Sequence, residues 1–176
     1  MRPVASHQDP LGLEAPSAWV VRWAPAMPPG PVLDVACGAG RHARFLASLG
    51  REVTALDREP PDSDVAGVRW VRADLEDGSP WPLEGRVFAG IVVANYLHRP
   101  LFARLAQSLA PDGLLVYETF MVGNERFGKP SNPAFLLRPG ELWTAFAGLH
   151  VIAFEQGEAR TPRPAMRQRL CARRPR

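Results

Sequence analysis

PVLDVACGAGRHARFLASLGREVTALD, residues 31–57, is the stretch on which the reading of the whole chain turns. PVLDVA (31–36) is a short apolar run, bounded by turn residues and holding two valines, which predicts a buried strand. The glycine-rich turn after it leads into a segment where His42, Phe45, Leu46 and Leu49 fall at i, i+3, i+4 and i+7, with Arg41 and Arg44 off that line. This spacing predicts one amphipathic helix, with Gly50 as its C-terminal cap. EVTALD (52–57) is a second strand. The stretch is therefore a β-α-β unit, and right-handed crossover makes its strands a parallel pair.

The same alternation continues outward. VRWVRAD (68–74) and VFAGIVVAN (87–95) read as strands, PLFARLAQSLA (100–110) as a helix, PDG (111–113) as a turn, and LLVYETF (114–120) as a strand. Beyond them come a helix near Glu141–Ala147 capped by Gly148, a strand LHVIAFE (149–155), and a last strand within 165–173. On the other side, a short helix starts at Pro16, carries Trp19 and Trp23 on one face, and is ended by Pro25, Pro28 and Pro29. Residues 1–15 are polar and read as a flexible N-terminal segment. Strands alternating with helices mean an α/β domain with a mostly parallel sheet. Two segments are irregular, 58–66 and 120–139; the second holds three prolines and exceeds an ordinary α/β loop, and such loops are usually functional or disordered.

Composition bounds the possibilities. A chain of 176 residues, 46% hydrophobic, suits one core, here over residues 16–176. The net charge of +3 comes almost wholly from arginine, with Lys129 the only lysine, which suggests compositional bias more than a binding surface. Cys37 and Cys171 lie far apart without metal-ligand spacing, so no metal site or disulfide scaffold is expected and a reducing cytoplasm fits best. No run reaches the roughly 18 apolar residues of a membrane span, and residues 1–10 lack a signal-peptide core. A soluble, unexported protein with no membrane partner is the expectation.

GAGRHA (38–43) satisfies the G-x-G-x-x-A dinucleotide fingerprint, with Asp57 at the end of the next strand as a ribose-binding acid. No G-x-x-x-x-G-K-[ST] is present, which excludes a P-loop. Asp34 argues against a dinucleotide: an anion four residues before the turn repels a pyrophosphate and attracts a positive ligand. A ligand with a nucleoside at one end and a cation at the other would satisfy both acids.

LDVACGAGRH (33–42), the strand-ending ALD (55–57), RADLED (72–77) and IVVANYLHRP (91–100) together resemble the class I S-adenosylmethionine-dependent methyltransferases. Within them the chain looks most similar to small bacterial enzymes of the tellurite-resistance type. The resemblance covers the chain from about Pro16 to Arg173. It implies a Rossmann-like, seven-stranded α/β sheet of order 3-2-1-4-5-7-6, last strand antiparallel, with helices on both faces. It also implies S-adenosyl-L-methionine as cofactor. The family's E/D-x-G-x-G-x-G falls on Asp34, Ala36, Gly38 and Gly40, with Ala36 in place of the first glycine. By the same resemblance Gly38 and Gly40 admit the methionine part, Asp57 takes the ribose hydroxyls, and Asp74 the adenine amino group. Leu75 packs on the ring, and Asn95 and Tyr96 lie near the sulfonium.

Each assignment has a plainer counterpart. Asp34 could cap the following helix, Asp57 could be a turn residue, and Asp74 stands in an acidic loop with Glu76 and Asp77. His98 follows the fourth strand and suits a general base, but a lone histidine is commonly structural. Cys37 reads as a small buried side chain, and Trp19 and Trp23 as core rather than lid. In the long loop, Asn124, Arg126 and Phe127 are candidates for substrate contact, against a purely structural connection. The arginines from 160 to 176 sit on a strand and a chain end, which disfavours nucleic acid as partner.

The expected activity is methyl transfer to a small-molecule acceptor, with His98 and Tyr96 as candidate catalytic residues and Glu118 as a further base. The fourth strand ends in NYLH, without the N/D/S-P-P-Y/F/W of amino-directed DNA methylation, and no Pro-Cys nucleophile is present. An RNA or other macromolecular methyltransferase, a nicotinamide dehydrogenase, and a non-catalytic cofactor-binding protein are the alternatives. The acceptor, and whether the protein is a monomer or homodimer, are open at this point.

Overall fold

A computed structural model describes residues 15–176, so the reading of a flexible N-terminal segment lies, but for Ala15, outside the described residues. The helices are α1 (Ala18–Trp23), α2 (Arg41–Ser48), α3 (Phe102–Gln107) and α4 (Glu141–Ala145). The first four strands are β1 (Val32–Val35), β2 (Val53–Asp57), β3 (Val68–Arg72) and β4 (Phe88–Ala94). The last three are β5 (Leu109–Phe120), β6 (His150–Ala159) and β7 (Ala165–Arg173). They form one sheet of order β3-β2-β1-β4-β5-β7-β6, parallel throughout except that β7 runs against β5 and β6.

Alternation along the central strands divides the core. Leu33 and Val35 of β1, Ile91 and Val93 of β4, and Leu115 and Tyr117 of β5 point to one face, with Leu105 of α3 and Leu142 of α4. Val32, Val92, Leu114 and Val116 point to the other, with Trp19 and Val20 of α1 and Leu46 of α2. Both faces are covered, as parallel strands that read as continuous apolar runs require. Gly90 lets the chain after α1 lie on β4: a Cβ there would come within 2.3 Å of Met27 Sδ.

α2 ends as its sequence predicts. Gly50 takes φ +76, its N–H donates to Ala47 O at 2.9 Å, and the N–H of Arg51 donates to Leu46 O at 3.2 Å. These are the two bonds of a Schellman cap. α1 is tied down by Trp19, whose indole N–H donates to Leu170 O at 3.2 Å. The backbone N–H of Ser17 donates to Nε2 of the buried His42 at 3.1 Å.

Several boundaries differ from expectation. The helix expected over 100–110 stops at Gln107, and β5 already begins at Leu109. Leu109 pairs with Phe88 and Leu114 with Gly90, so the PDG residues form a bulge inside the strand. The backbone after β7 captures that bulge: Asp112 N–H donates to Arg174 O, and Arg174 N–H to Gly113 O. α4 ends at Ala145, because Phe146 turns into the core, and Gly148 does not adopt the left-handed cap conformation. β3 stops at Arg72, and β6 continues to Ala159, paired with β7 along its length. The loop 120–139 folds back onto the domain. Arg99 holds it, donating to Ala134 O at 2.8 Å, Leu136 O at 2.9 Å and Glu141 Oε1 at 2.6 Å.

Candidate functional site

The parallel strands deliver their C-terminal ends, and the residues that follow, to one edge of the sheet. There the turn between β1 and α2 takes an irregular path, with Ala36 at φ +53, Gly38 at +54 and Gly40 at +80. Ala36 adopts a conformation glycine takes at lower cost, which identifies it as the first residue of a glycine-type turn. A Cβ at Gly38 would project into open space, whereas one at Gly40 would lie 2.3 Å from the Trp70 ring. Gly40→Ala should therefore cost about 1–3 kcal/mol, from left-handed strain and displacement of Trp70. Urea denaturation measures this, and an unchanged midpoint would show that Trp70 moves freely.

Asp57, at the end of β2, grips the turn. Its Oδ2 accepts from Gly38 N–H at 2.8 Å and its Oδ1 from Glu59 N–H at 2.9 Å. A carboxylate offers about four lone-pair sites, so two remain for a ligand. Asp74 is shaped similarly, its Oδ1 accepting from Glu76 N–H at 2.9 Å. Ala36, Asp57, Asp74, Leu75 and Tyr96 line a cavity of about 330 Å³. The Tyr96 hydroxyl is held protonated by burial, then by the neighbouring carboxylates of Glu76, Asp74 and Asp57.

Asp34 lies behind the turn, 1% exposed, and its Oδ2 has no hydrogen-bond partner among the described residues. Burial pushes its pKa up to about 7, although the Ala43 N–H in the first turn of α2 and the Arg41 charge both pull it down. An orphaned buried carboxylate is a costly arrangement that a cationic ligand group would relieve.

Two further cavities lie along this edge. One, of about 530 Å³, shares Tyr96 and Glu76 with the first and is walled by Leu97, Phe120, Lys129 and Phe135. The other, of about 590 Å³, lies at the end of α1 and is walled by Trp19, Arg41, Glu118, Arg167 and Arg169. Asn95, at φ +58 after β4, lines both. The structure thus brings Ala36, Asp57, Asp74, Leu75, Tyr96 and Asn95 together on one trough.

The other candidates are placed differently. His98 stands just before the Arg99–Leu101 turn, half-buried and outside the walls of these three cavities. Asn124 is buried and binds the protein itself, donating to Pro130 O at 2.9 Å and accepting from Met166 N–H at 3.1 Å. Arg126 pairs with Glu158 at 3.1 Å and lies over the exposed Phe127. The long loop reaches the trough through Lys129 and Phe135 instead. Lys129 belongs to the loop whose polar residues the sequence offers to a substrate, whereas sequence reasoning overlooked Phe135 and Arg167; the only signal for Arg167 was the alternation of arginines along β7.

The family described as a methyltransferase domain matches residues 32–113, which carry the glycine turn, Asp57 and Asp74. That match spans just under half of the chain. No curated protein sequence is detectably similar to it. Among solved structures, this methyltransferase fold is shared with TehB from Haemophilus influenzae, at 16% identity and a TM-score of 0.71, covering 88% of this chain and 61% of that one. It is shared also with the N-methyltransferase NodS from Bradyrhizobium japonicum WM9, at 19% identity and a TM-score of 0.67, covering 89% and 93%. A third is Burkholderia thailandensis 1,6-didemethyltoxoflavin-N1-methyltransferase, solved with its namesake compound and S-adenosylhomocysteine, at 22% identity and a TM-score of 0.65, covering 90% and 77%. The seven-strand order of the class I S-adenosylmethionine-dependent methyltransferases is the order found here.

The sequence resemblance implies S-adenosylmethionine as cofactor, and the residues present fit it. The open face of Gly38 leaves room for its amino-acid part, and Asp57 and Asp74 offer carboxylates to a nucleoside. The orphaned Asp34 stands behind the turn, where a positive charge is favoured. Among the described residues no helix is long and apolar enough to cross a membrane.

Proposed function

We propose that the chain transfers a methyl group from S-adenosylmethionine to a small-molecule acceptor. The observation that carries this reading is the row of cavities at the sheet edge. A nucleoside-sized cavity with two acids shares Tyr96 with a second, larger cavity, which shares Asn95 with a third. Cavities of about 530 and 590 Å³ are the size of small-ligand sites.

In this reading Asp57 holds the ribose, Asp74 the adenine, and Leu75 packs against the ring. Gly38 and Gly40 admit the amino-acid part, and Asp34 supplies a counter-charge. The bound cofactor supplies an activated methyl group, so the protein mainly aligns the acceptor and excludes water. Tyr96, kept protonated, orients an acceptor by donating a hydrogen bond. A thiolate acceptor requires no base, whereas a hydroxyl or protonated amine does, and His98 is the residue proposed for that step. Asn124 holds the loop that bears Lys129 and Phe135, and contact with the acceptor is proposed for Arg126 and Phe127 on the same loop.

Calorimetry with S-adenosylhomocysteine, followed by label transfer from methyl-labelled S-adenosylmethionine to thiols, amines, phenols and carboxylic acids, tests the reading. Binding together with turnover is expected. Binding without turnover on any acceptor would favour a non-catalytic cofactor-binding protein. With a hydroxyl or amine acceptor in hand, His98→Ala should lower kcat at least tenfold while sparing cofactor affinity, as loss of a general base does. An unchanged rate would leave His98 a structural residue.

A further inference from the structure

The third cavity holds a cation to which the methyl-transfer reading gives no task. Arg167, on β7, is 6% exposed. Its guanidinium carbon lies 4.3 Å from the ring centroid of Phe120, its cross-strand partner on β5. One Nη donates to Asn95 Oδ1 at 2.7 Å, its only hydrogen bond to the described residues. A guanidinium carries five N–H donors, and burying one without an anion is costly.

The other arginines around it differ in this respect. Arg22 pairs with Glu155 at 3.5 Å, and Arg169 pairs with Glu118 at 3.0 Å and Glu155 at 3.4 Å. Arg167 makes no ion pair with a described residue. Burial pulls its pKa down; Glu118 opposes this and the charges of Arg169 and Arg41 add to it. A flat cation, stacked on one face, anchored by one donor and open on the cavity side, suits bidentate capture of a carboxylate.

Position separates two sources for that carboxylate. β7 is antiparallel, so its N-terminal half reaches the same edge as the C-terminal ends of the parallel strands. Arg167 extends across β5 to Asn95, while the glycine turn that receives the cofactor's amino-acid end follows β1, on the far side of β4. Phe120 and Asn95, which hold Arg167, also wall the apolar second cavity beside Tyr96 and Phe135.

We propose that Arg167 binds a carboxylate of the methyl acceptor, making the acceptor an organic acid whose apolar part occupies the cavity walled by Phe120, Tyr96 and Phe135. The proposal rests on the methyl-transfer reading of the same site. It is tested on protein saturated with S-adenosylhomocysteine, by titrating benzoate against benzamide, and anthranilate and 4-hydroxybenzoate against their amides. The acids should bind at least tenfold more tightly than the amides. Arg167→Gln should abolish that preference, Arg167→Lys should keep part of it, and both should bind S-adenosylhomocysteine within threefold of wild type.

Absence of an acid preference in the wild type, or its persistence in R167Q and R167K, overturns the proposal. So does loss of S-adenosylhomocysteine affinity in both variants with unchanged affinity for 5′-methylthioadenosine, which lacks the amino-acid part; that result assigns Arg167 to the cofactor's own carboxylate. Failure of the wild type to bind S-adenosylhomocysteine overturns the underlying reading instead.

Discussion

Asp57→Ala is expected to weaken S-adenosylhomocysteine binding about 100-fold. Two charge-assisted hydrogen bonds to ribose hydroxyls, at about 1.5 kcal/mol each, amount to about 3 kcal/mol, or roughly two decades in Kd. The same carboxylate accepts from the N–H groups of Gly38 and Glu59, so its loss also releases the turn that faces the cofactor. Asp57→Asn, which keeps an acceptor oxygen without the charge, should fall between wild type and D57A. Isothermal calorimetry decides the matter; wild-type affinity in D57A would show that the nucleoside binds elsewhere.

The stability of the ligand-free protein should respond to pH through two buried groups that act in opposite senses. Burial, then Arg41, pull the pKa of His42 down to about 3, so the folded chain refuses a proton that the unfolded chain accepts below its ordinary value near 6.5. Stability is lost as pH falls through that window, by about 1.4 kcal/mol per unit. Asp34 is reversed: its pKa is raised by burial from 3.8 to about 7, so the folded chain retains a proton the unfolded chain has released. Stability is lost as pH rises between those values, by about 4 kcal/mol in total at most. Asp34→Asn should therefore gain on wild type as pH rises from 4.5 to 7.5. His42→Gln, which still offers Ser17 N–H an acceptor, should gain as pH falls over the same range. Urea denaturation at four pH values separates them, and curves parallel to wild type would refute both assignments.

Much of the site was legible because the chemistry lies close in sequence to strands that declare themselves. Asp34, Ala36, Gly38, Gly40 and Asp57 belong to one β-α-β unit, whose local turn and parallel pairing place them together. Asp74 and Leu75 follow β3, Asn95 and Tyr96 follow β4, and both strands end at the same edge. Acceptor-side residues resisted the same treatment. Arg167 lies 72 residues from Asn95, and only the antiparallel pairing of β7 with β5 brings the two into contact. Asn124 read as a candidate for substrate contact but is buried, because the loop closes on β7 through its amide.

The sequence by itself determined the α/β class, the strand order implied by its resemblance, and the acids that stand at the strand ends, since a two-residue strand period, a helical period and a glycine turn are local properties. Tertiary structure alone decided where α3 gives way to β5, because that boundary is set by pairing of Leu109 with Phe88 and by the segment after β7. It decided also which of many arginines is buried and turned toward the trough. Burial and charge pairing depend on neighbours distant along the chain, and no window of sequence contains them.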